Sequence, residues 1–209
     1  MANPREGWYI RHFSEAEIKG YSERRASKDS HGWGNKFEGE QRWTGYPGEI
    51  SFRDFLIDNG IEHEHHNTVD EKDKKDFTVG GCNIDVKTVA TTVEPQGYYG
   101  CEVEKSQVGN RHVDTYVFVR FNTKSNTAFV LGWIPKDEFI RKSVLRKPGE
   151  KVTDSFTVNA AMREIKINDL NPLSMLHEPV PYGCMTDDDG HTICNRKSTR
   201  EMKTFADWV

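Results

Sequence analysis

Apolar and polar positions divide the chain into segments of two periods. Ser14–Ser30, "SEAEIKGYSERRASKDS", has helical composition, and Ser14 with Glu17 forms the Ser-x-x-Glu pattern of a capping box. Its faces are strongly polar, which predicts a surface helix. "HGWGNKFEGEQRWTG" follows as a loop. "YPGEISFRDFLIDNG" predicts a second helix: Pro47 suits the first turn, Gly60 suits the left-handed residue past the end, and Phe52, Phe55 and Leu56 form its buried stripe. "IEHEHHNTV" reads as a strand and "DEKDKKD" as a charged turn. Two strand-forming runs then flank Gly80-Gly81. A short helix is expected near "VEKSQVGN". Asp114–Asn122 and Asn126–Ile134 alternate as strands around a turn at Lys124 and Ser125, and "PKDEFIRKSVL" reads as helical from Pro135. "REIKINDLNPLSML" closes the compact part, and "CMTDDDGHTIC" predicts a hairpin around Asp189 and Gly190. Two helices followed by largely consecutive strands predict a mixed α/β domain.

Composition narrows this picture only a little. The chain has 209 residues, 35% hydrophobic and 11% aromatic, enough for one core. A net charge of -4 gives no overall signal for nucleic acid, so any such partner must be met by a local basic patch. The N-terminus lacks the apolar run of a secretory signal, and no stretch approaches a membrane span. Four scattered cysteines without a CxxC pair fit a reducing compartment, so a cytoplasmic setting is expected (the host cytoplasm, if a virus encodes the chain).

The candidate chemistry lies in "KKDFTVGGCNIDVKTV", Lys74–Val89. A two-residue loop at Gly80-Gly81 makes Val79 face Cys82, and the same register makes Asp76 face Asp85. Facing side chains leave the same side of an antiparallel pair, with Cβ atoms about 5 Å apart. Lys87, two residues past Asp85, shares that side, while Ile84, Val86 and Thr88 take the other. Two facing carboxylates repel, and a divalent cation with hard oxygen ligands, Mg²⁺ or Mn²⁺, would offset the repulsion. Glu49 lies three residues before Phe52 and seven before Leu56, so it points with the buried stripe and can join the acids. The bland alternative is a solvated strand face on which Lys87 pairs with an aspartate.

Glu49, Asp76, Asp85 and Lys87, in that order with the hairpin between, resemble the PD-(D/E)XK nuclease superfamily and its restriction-endonuclease-like fold. The continuation "VDTYVFVRFNTKSNTAFVLGWIPKDEF" is similar to small phage and bacterial members. The resemblance spans Gly45–Leu173. It implies a 45–173 core, with a 1–44 N-terminal helical segment and a 174–209 appendage carrying the hairpin, in one nuclease domain with a mixed sheet flanked by helices. It also implies a metal-dependent nuclease, in the first instance a DNA endonuclease. Asp76, Asp85 and the Val86 carbonyl would hold Mg²⁺ or Mn²⁺, Glu49 would assist directly or through water, and Lys87 would act on the attacking water. Lys75 stands where the family pattern often has proline. The expected partner is nucleic acid, DNA before RNA; a homodimer is compatible with it, and no membrane is involved.

Other residues of the chain carry weaker signals. Gln107 follows the motif where the family places accessory polar residues. Arg42, beside Trp43 and Tyr46, and the basic run Arg141, Lys142, Arg146 and Lys147 are candidate phosphate contacts, as is the run Asn195–Lys203, although solvated faces are commoner. His63–His66 offers two histidines on one strand face without an evident third ligand, so packing or surface histidines are expected. Cys184 and Cys194 would face each other across the C-terminal hairpin as thiols. Two other classes compete with the nuclease: a non-catalytic binding module on the same fold, and a zinc-binding protein.

Overall fold

The computed structural model describes residues 7–29, 44–66, 75–153, 156–176, 184–186 and 192–194. Its centre is a six-stranded mixed sheet. β1 (Tyr9–His12), β7 (Thr127–Pro135), β6 (Thr115–Asn122), β4 (Cys82–Thr91), β3 (Phe77–Val79) and β2 (His63–His65) lie side by side in that order. Only the central β4–β6 pair is parallel; the other neighbours run antiparallel. Such a mixed α/β sheet between helices agrees with the expected class.

The two expected helices form. α1 (Glu15–Asp29) begins with the reciprocal cap: the Ser14 N–H donates to Glu17 Oε2 at 2.8 Å, and the Glu17 N–H donates to Ser14 Oγ at 3.3 Å. α2 (Gly45–Asp58) buries Ser51, Phe52, Phe55 and Leu56, and Gly60 follows it at φ 64°. α2 lies very close to β4. A Cβ on Gly48 would sit 1.8 Å from Thr88 Oγ1, so glycine sets the approach of the helix that carries Glu49.

The sheet buries both faces. Phe52, Phe55 and Leu56 pack with Phe77, Ile84, Val86, Val117, Val119 and Phe121 on the α2 face. Tyr116, Phe118, Phe129, Leu131 and Ile134 face the opposite core, closed by Cys101, Val103, Phe139 and Ile165. The latter residues come from β5 (Gly100–Glu104), α4 (Lys136–Lys142) and β11 (Met162–Lys166). The short helix α3 (Lys105–Val108) follows β5, so the β4-to-β6 crossover runs through β5 and α3. β11 lies between β5 and β8 (Val144–Arg146) in a second, three-stranded sheet. A two-stranded ribbon, β9 (Lys151–Thr153) with β10 (Phe156–Thr157), precedes β11.

Several local expectations shift. A strand, β1, precedes α1 and edges the sheet beside β7, so the N-terminal segment is part of this sheet and not helical throughout. Arg11 on β1 is ion-paired with Asp54 on α2 and Glu17 on α1, which ties the three elements together. The turn between β6 and β7 takes four residues, Thr123–Asn126, with Asn126 at φ 49°. The helix from Pro135 ends at Lys142: Ser143 is extended, and Val144–Arg146 pair with β11 instead. β12 (Cys184–Thr186) and β13 (Thr192–Cys194) pair with Cys184 opposite Cys194, the expected register. The 31–43 part of the early loop, including Arg42 and Trp43, and the run Asn195–Lys203 lie outside the described residues. Among the described residues no helix is long and apolar enough to cross a membrane.

Candidate active site

The hairpin forms in the register that the sequence implies. Gly80 at φ 54° and Gly81 at φ 83° make a two-residue turn of the kind that matches strand twist. Val79 pairs with Cys82, Thr78 with Asn83 and Phe77 with Ile84. One step further the regular ladder ends: the Asp76 N–H donates at 2.8 Å to the carbonyl of Ile84, the residue already paired with Phe77, so the expected Asp76–Asp85 pairing is replaced by a slip of one residue. There the ladder changes character. The Val86 N–H donates to Asp76 Oδ2 at 2.6 Å, so a carboxylate takes the donor that a longer β3 would have used. On its other side, the Asp76 carbonyl accepts the His66 N–H at 2.8 Å. Asp76 is thus held by its backbone on both sides and by its side chain in front.

The charged groups gather at this point. Lys87 Nζ lies 2.7 Å from Asp85 Oδ2, and the two side chains are only 20% and 15% exposed. That is not the solvated face of the bland reading, although the ion pair it anticipated is present. Glu49, from the first turns of α2, is close enough to raise the Asp76 pKa by its charge, and its Oε2 lies 3.9 Å from His65 Nε2. Burial pushes the Asp76 carboxyl well above the usual range. The charges of Asp85 and Glu49 push the same way, and the Val86 N–H and Lys87 only partly oppose them. Three acids therefore share one lysine.

Buried polar atoms without hydrogen-bond partners flank the same place. His65 Nε2 faces Glu49, and Thr88 Oγ1 lies against Gly48, the neighbour of Glu49. The Tyr116 hydroxyl belongs to the residue paired with Asp85 across β4–β6, and burial and the Asp85 charge raise its pKa. Thr115, next to Tyr116, leaves a further hydroxyl unmatched. Buried polar atoms are nearly always hydrogen-bonded, so these atoms can still accept a partner, as can Arg120 Nε near Glu102. Among the described residues, no three His, Cys, Asp or Glu side chains are grouped so as to hold a metal ion. The donor set itself, hard carboxylate oxygens with excess negative charge, suits a divalent cation.

The other expected residues fall elsewhere. Val86 meets Asp76 through its N–H. Gln107 is exposed on α3. Arg141 and Lys142 lie at the exposed end of α4, where Lys142 pairs with Glu138. Arg146, on β8, is bound to Glu150 and Glu164, and Lys147 is exposed beyond it. His63 and His65 both lie against Phe77, and His66 Nε2 is 2.8 Å from Thr78 Oγ1, as expected of packing histidines. Lys75, which the motif comparison treats only as a missing proline, reaches Thr78 and Asn83 on the Asp76–Asp85 side of the hairpin. Tyr116 escapes sequence reasoning, and His65 enters it only as half of a possible pair with His63. Their place beside the acids depends on which strands become neighbours, and the only hint was the alternation of His63 and His65. No family model and no curated protein matches the chain.

Proposed function

We propose that this protein is a metal-dependent nuclease that hydrolyses phosphodiester bonds, DNA before RNA, on a restriction-endonuclease-like core. The observation that carries the reading is the gathering of Asp76, Asp85 and Glu49 at the end of a two-residue hairpin, near enough for the charges of the last two to raise the Asp76 pKa, with Lys87 on Asp85. Asp76 and Asp85 are the residues that would hold the cation, with Glu49 beside them. A divalent ion bound there supplies positive charge next to the phosphate and makes water a stronger acid.

The chain's own residues have definable tasks. The Val86 N–H fixes the Asp76 carboxylate, and the backbone bonds of Asp76 keep it from swinging away from Asp85. Lys87 Nζ, now on Asp85, is placed to donate a hydrogen bond to a non-bridging phosphate oxygen, where negative charge grows as water attacks phosphorus and the bond to the leaving oxygen breaks. Glu49 accepts a hydrogen bond from the attacking water and orients it. Gly48 sets that helix at contact distance from β4.

A specific observation also favours the non-catalytic module: the Lys87–Asp85 ion pair neutralises one acid without any ligand. It leaves Asp76 facing two carboxylates, which a binding module has no reason to keep. The deciding experiment incubates the protein with plasmid, linear duplex, branched and single-stranded substrates in Mg²⁺, Mn²⁺ or EDTA. Cleavage that needs the cation and vanishes in Asp85→Ala is expected; no cleavage of any substrate would favour the module.

A further inference from the structure

His65 differs from its two neighbouring histidines. His63 Nδ1 lies 2.9 Å from the Ile61 carbonyl, and His66 Nε2 lies 2.8 Å from Thr78 Oγ1. His65 Nε2 is buried, has no hydrogen-bond partner, and points to within 3.9 Å of Glu49 Oε2. A satisfied packing histidine would have used that nitrogen, because a buried polar atom left unmatched destabilises the fold.

The ring is also fixed in place. It stacks on Phe77 with centroids 4.4 Å apart and planes 8° apart, and Phe77 is fully buried. His65 pairs directly with Phe77 across β2–β3, and Phe77 is the residue after Asp76. The residue that follows β2, His66, donates its N–H to the Asp76 carbonyl. The segment that presents His65 therefore also secures Asp76. Among the described residues, no hydrogen bond holds the Glu49 carboxylate elsewhere, so a side-chain rotation lets it share a ligand with His65.

We propose that His65 is a nitrogen donor to the cation held by Glu49, Asp76 and Asp85, so that the site favours a borderline transition-metal ion over Mg²⁺. This rests on the reading of the carboxylates as a cation site. An all-oxygen site suits Mg²⁺ and Mn²⁺, whereas an imidazole adds affinity for ions further along the first row, Co²⁺ most usefully as a probe. The stacked ring is preorganised for this, because Phe77 removes the rotation that a free histidine would have to lose.

The test is direct binding of Mg²⁺, Mn²⁺ and Co²⁺ to the metal-free full chain, by calorimetry and by thermal shift, without substrate. His65→Phe keeps the stacking on Phe77 and removes the nitrogen; His65→Gln, with an amide oxygen, serves if the first variant folds poorly. The expected result is a Co²⁺ affinity weakened about tenfold or more, with Mg²⁺ affinity nearly unchanged. The visible spectrum of bound Co²⁺ should change in the same variant. Equal loss for all three ions would overturn the nitrogen donor in favour of a packing role, as would unchanged Co²⁺ and Mg²⁺ midpoints. A wild-type protein that binds none of the ions would overturn both the cation site and this inference, whereas wild-type binding that is indifferent to His65 would overturn the inference alone.

Discussion

Carboxylates are brought together in two regions among the described residues, with different surroundings. Asp76 and Asp85 meet at the end of the β3–β4 hairpin; Glu102 and Glu164 are direct partners across β5–β11. At the second pair the chain supplies its own cations. Glu164, 5% exposed, is bound to Lys166 and Arg146, whose hydrogen bonds and charges outweigh burial and hold its carboxyl below the usual range. Burial pushes Glu102 up, with Glu164 adding to that and Arg120 opposing it. Together with Glu150, the other partner of Arg146, three acids meet three bases. At the hairpin, Lys87 is the one lysine or arginine among the described residues that pairs with any of Glu49, Asp76 and Asp85. Facing acids are therefore not in themselves a site. What separates the two regions, among the described residues, is how many of the chain's own cations balance them.

The sharpest way to break the comparison is at Lys87. Lys87→Ala should lower cleavage by about a hundredfold or more, since removing one donor to a developing oxyanion costs that much, while cation binding survives. Lys87→Arg should fail as well, because a guanidinium fork does not reproduce a single ammonium contact. Rates measured beside cation titrations of the same proteins decide this, and a Lys87→Ala protein that cuts at the wild-type rate would return the lysine to a purely structural ion pair.

At the neutralised pair the effect should fall on stability. Arg146→Ala removes one of the two cations on a buried glutamate, and a loss of about 1–3 kcal/mol is expected, read from chemical denaturation. Cleavage and cation response should be intact. A normal stability would mean that Lys166 alone suffices and that the balance of charges there has been overdrawn.

A smaller effect, opposite in sign, is expected at Asp76. Its pKa is raised in the folded state, so the folded protein holds a proton that the unfolded chain has released. Stability of the cation-free protein should therefore fall as pH rises from the ordinary carboxylate range through the raised value. Asp76→Asn keeps an acceptor for the Val86 N–H and removes the charge. It should flatten that slope and raise the melting temperature above neutral pH by a few degrees, while losing the cation response. A variant with the wild-type pH slope would show that Asp76 is not the strained member of the pair.

Much of this contrast was legible in the sequence, for identifiable reasons. A Gly-Gly turn fixes the hairpin register by arithmetic, and the i, i+2 rule then puts Asp85 and Lys87 together. The helix signals at Ser14, Pro47 and Gly60 are local chemistry and read correctly. The second pair was invisible, because β5, β8 and β11 are short strands, and the β5–β11 pairing joins residues roughly sixty apart. β1 escaped for the same reason: "YIRH" acquires strand identity only beside β7. The helix from Pro135 was read too long because Val144 and Leu145 continue an apolar pattern, while their pairing with β11 is a tertiary effect. His65 and Tyr116 needed the sheet order, which no single segment encodes.

The weakest effect expected concerns substrate grip. With Arg146 committed to Glu150 and Glu164 and the exposed Lys142 to Glu138, Arg141 and Lys147 are the exposed cations of that basic run that remain. Neutralising both should reduce the slope of log affinity against log salt by about two if they contact phosphates. An unchanged slope would make the run ordinary solvated surface.

The most direct test of the central claim is a Mn²⁺ titration followed by thermal unfolding, run in parallel on the wild type, Asp85→Ala and Glu102→Gln. A ligand that binds only the folded state at a hundred times its dissociation constant stabilises by about 2.7 kcal/mol, a shift of several degrees for a chain of this size. The account predicts that shift in the wild type and in Glu102→Gln, and its loss in Asp85→Ala. A wild-type protein whose melting temperature ignores millimolar Mn²⁺, or an Asp85→Ala protein that responds like the wild type, would contradict it.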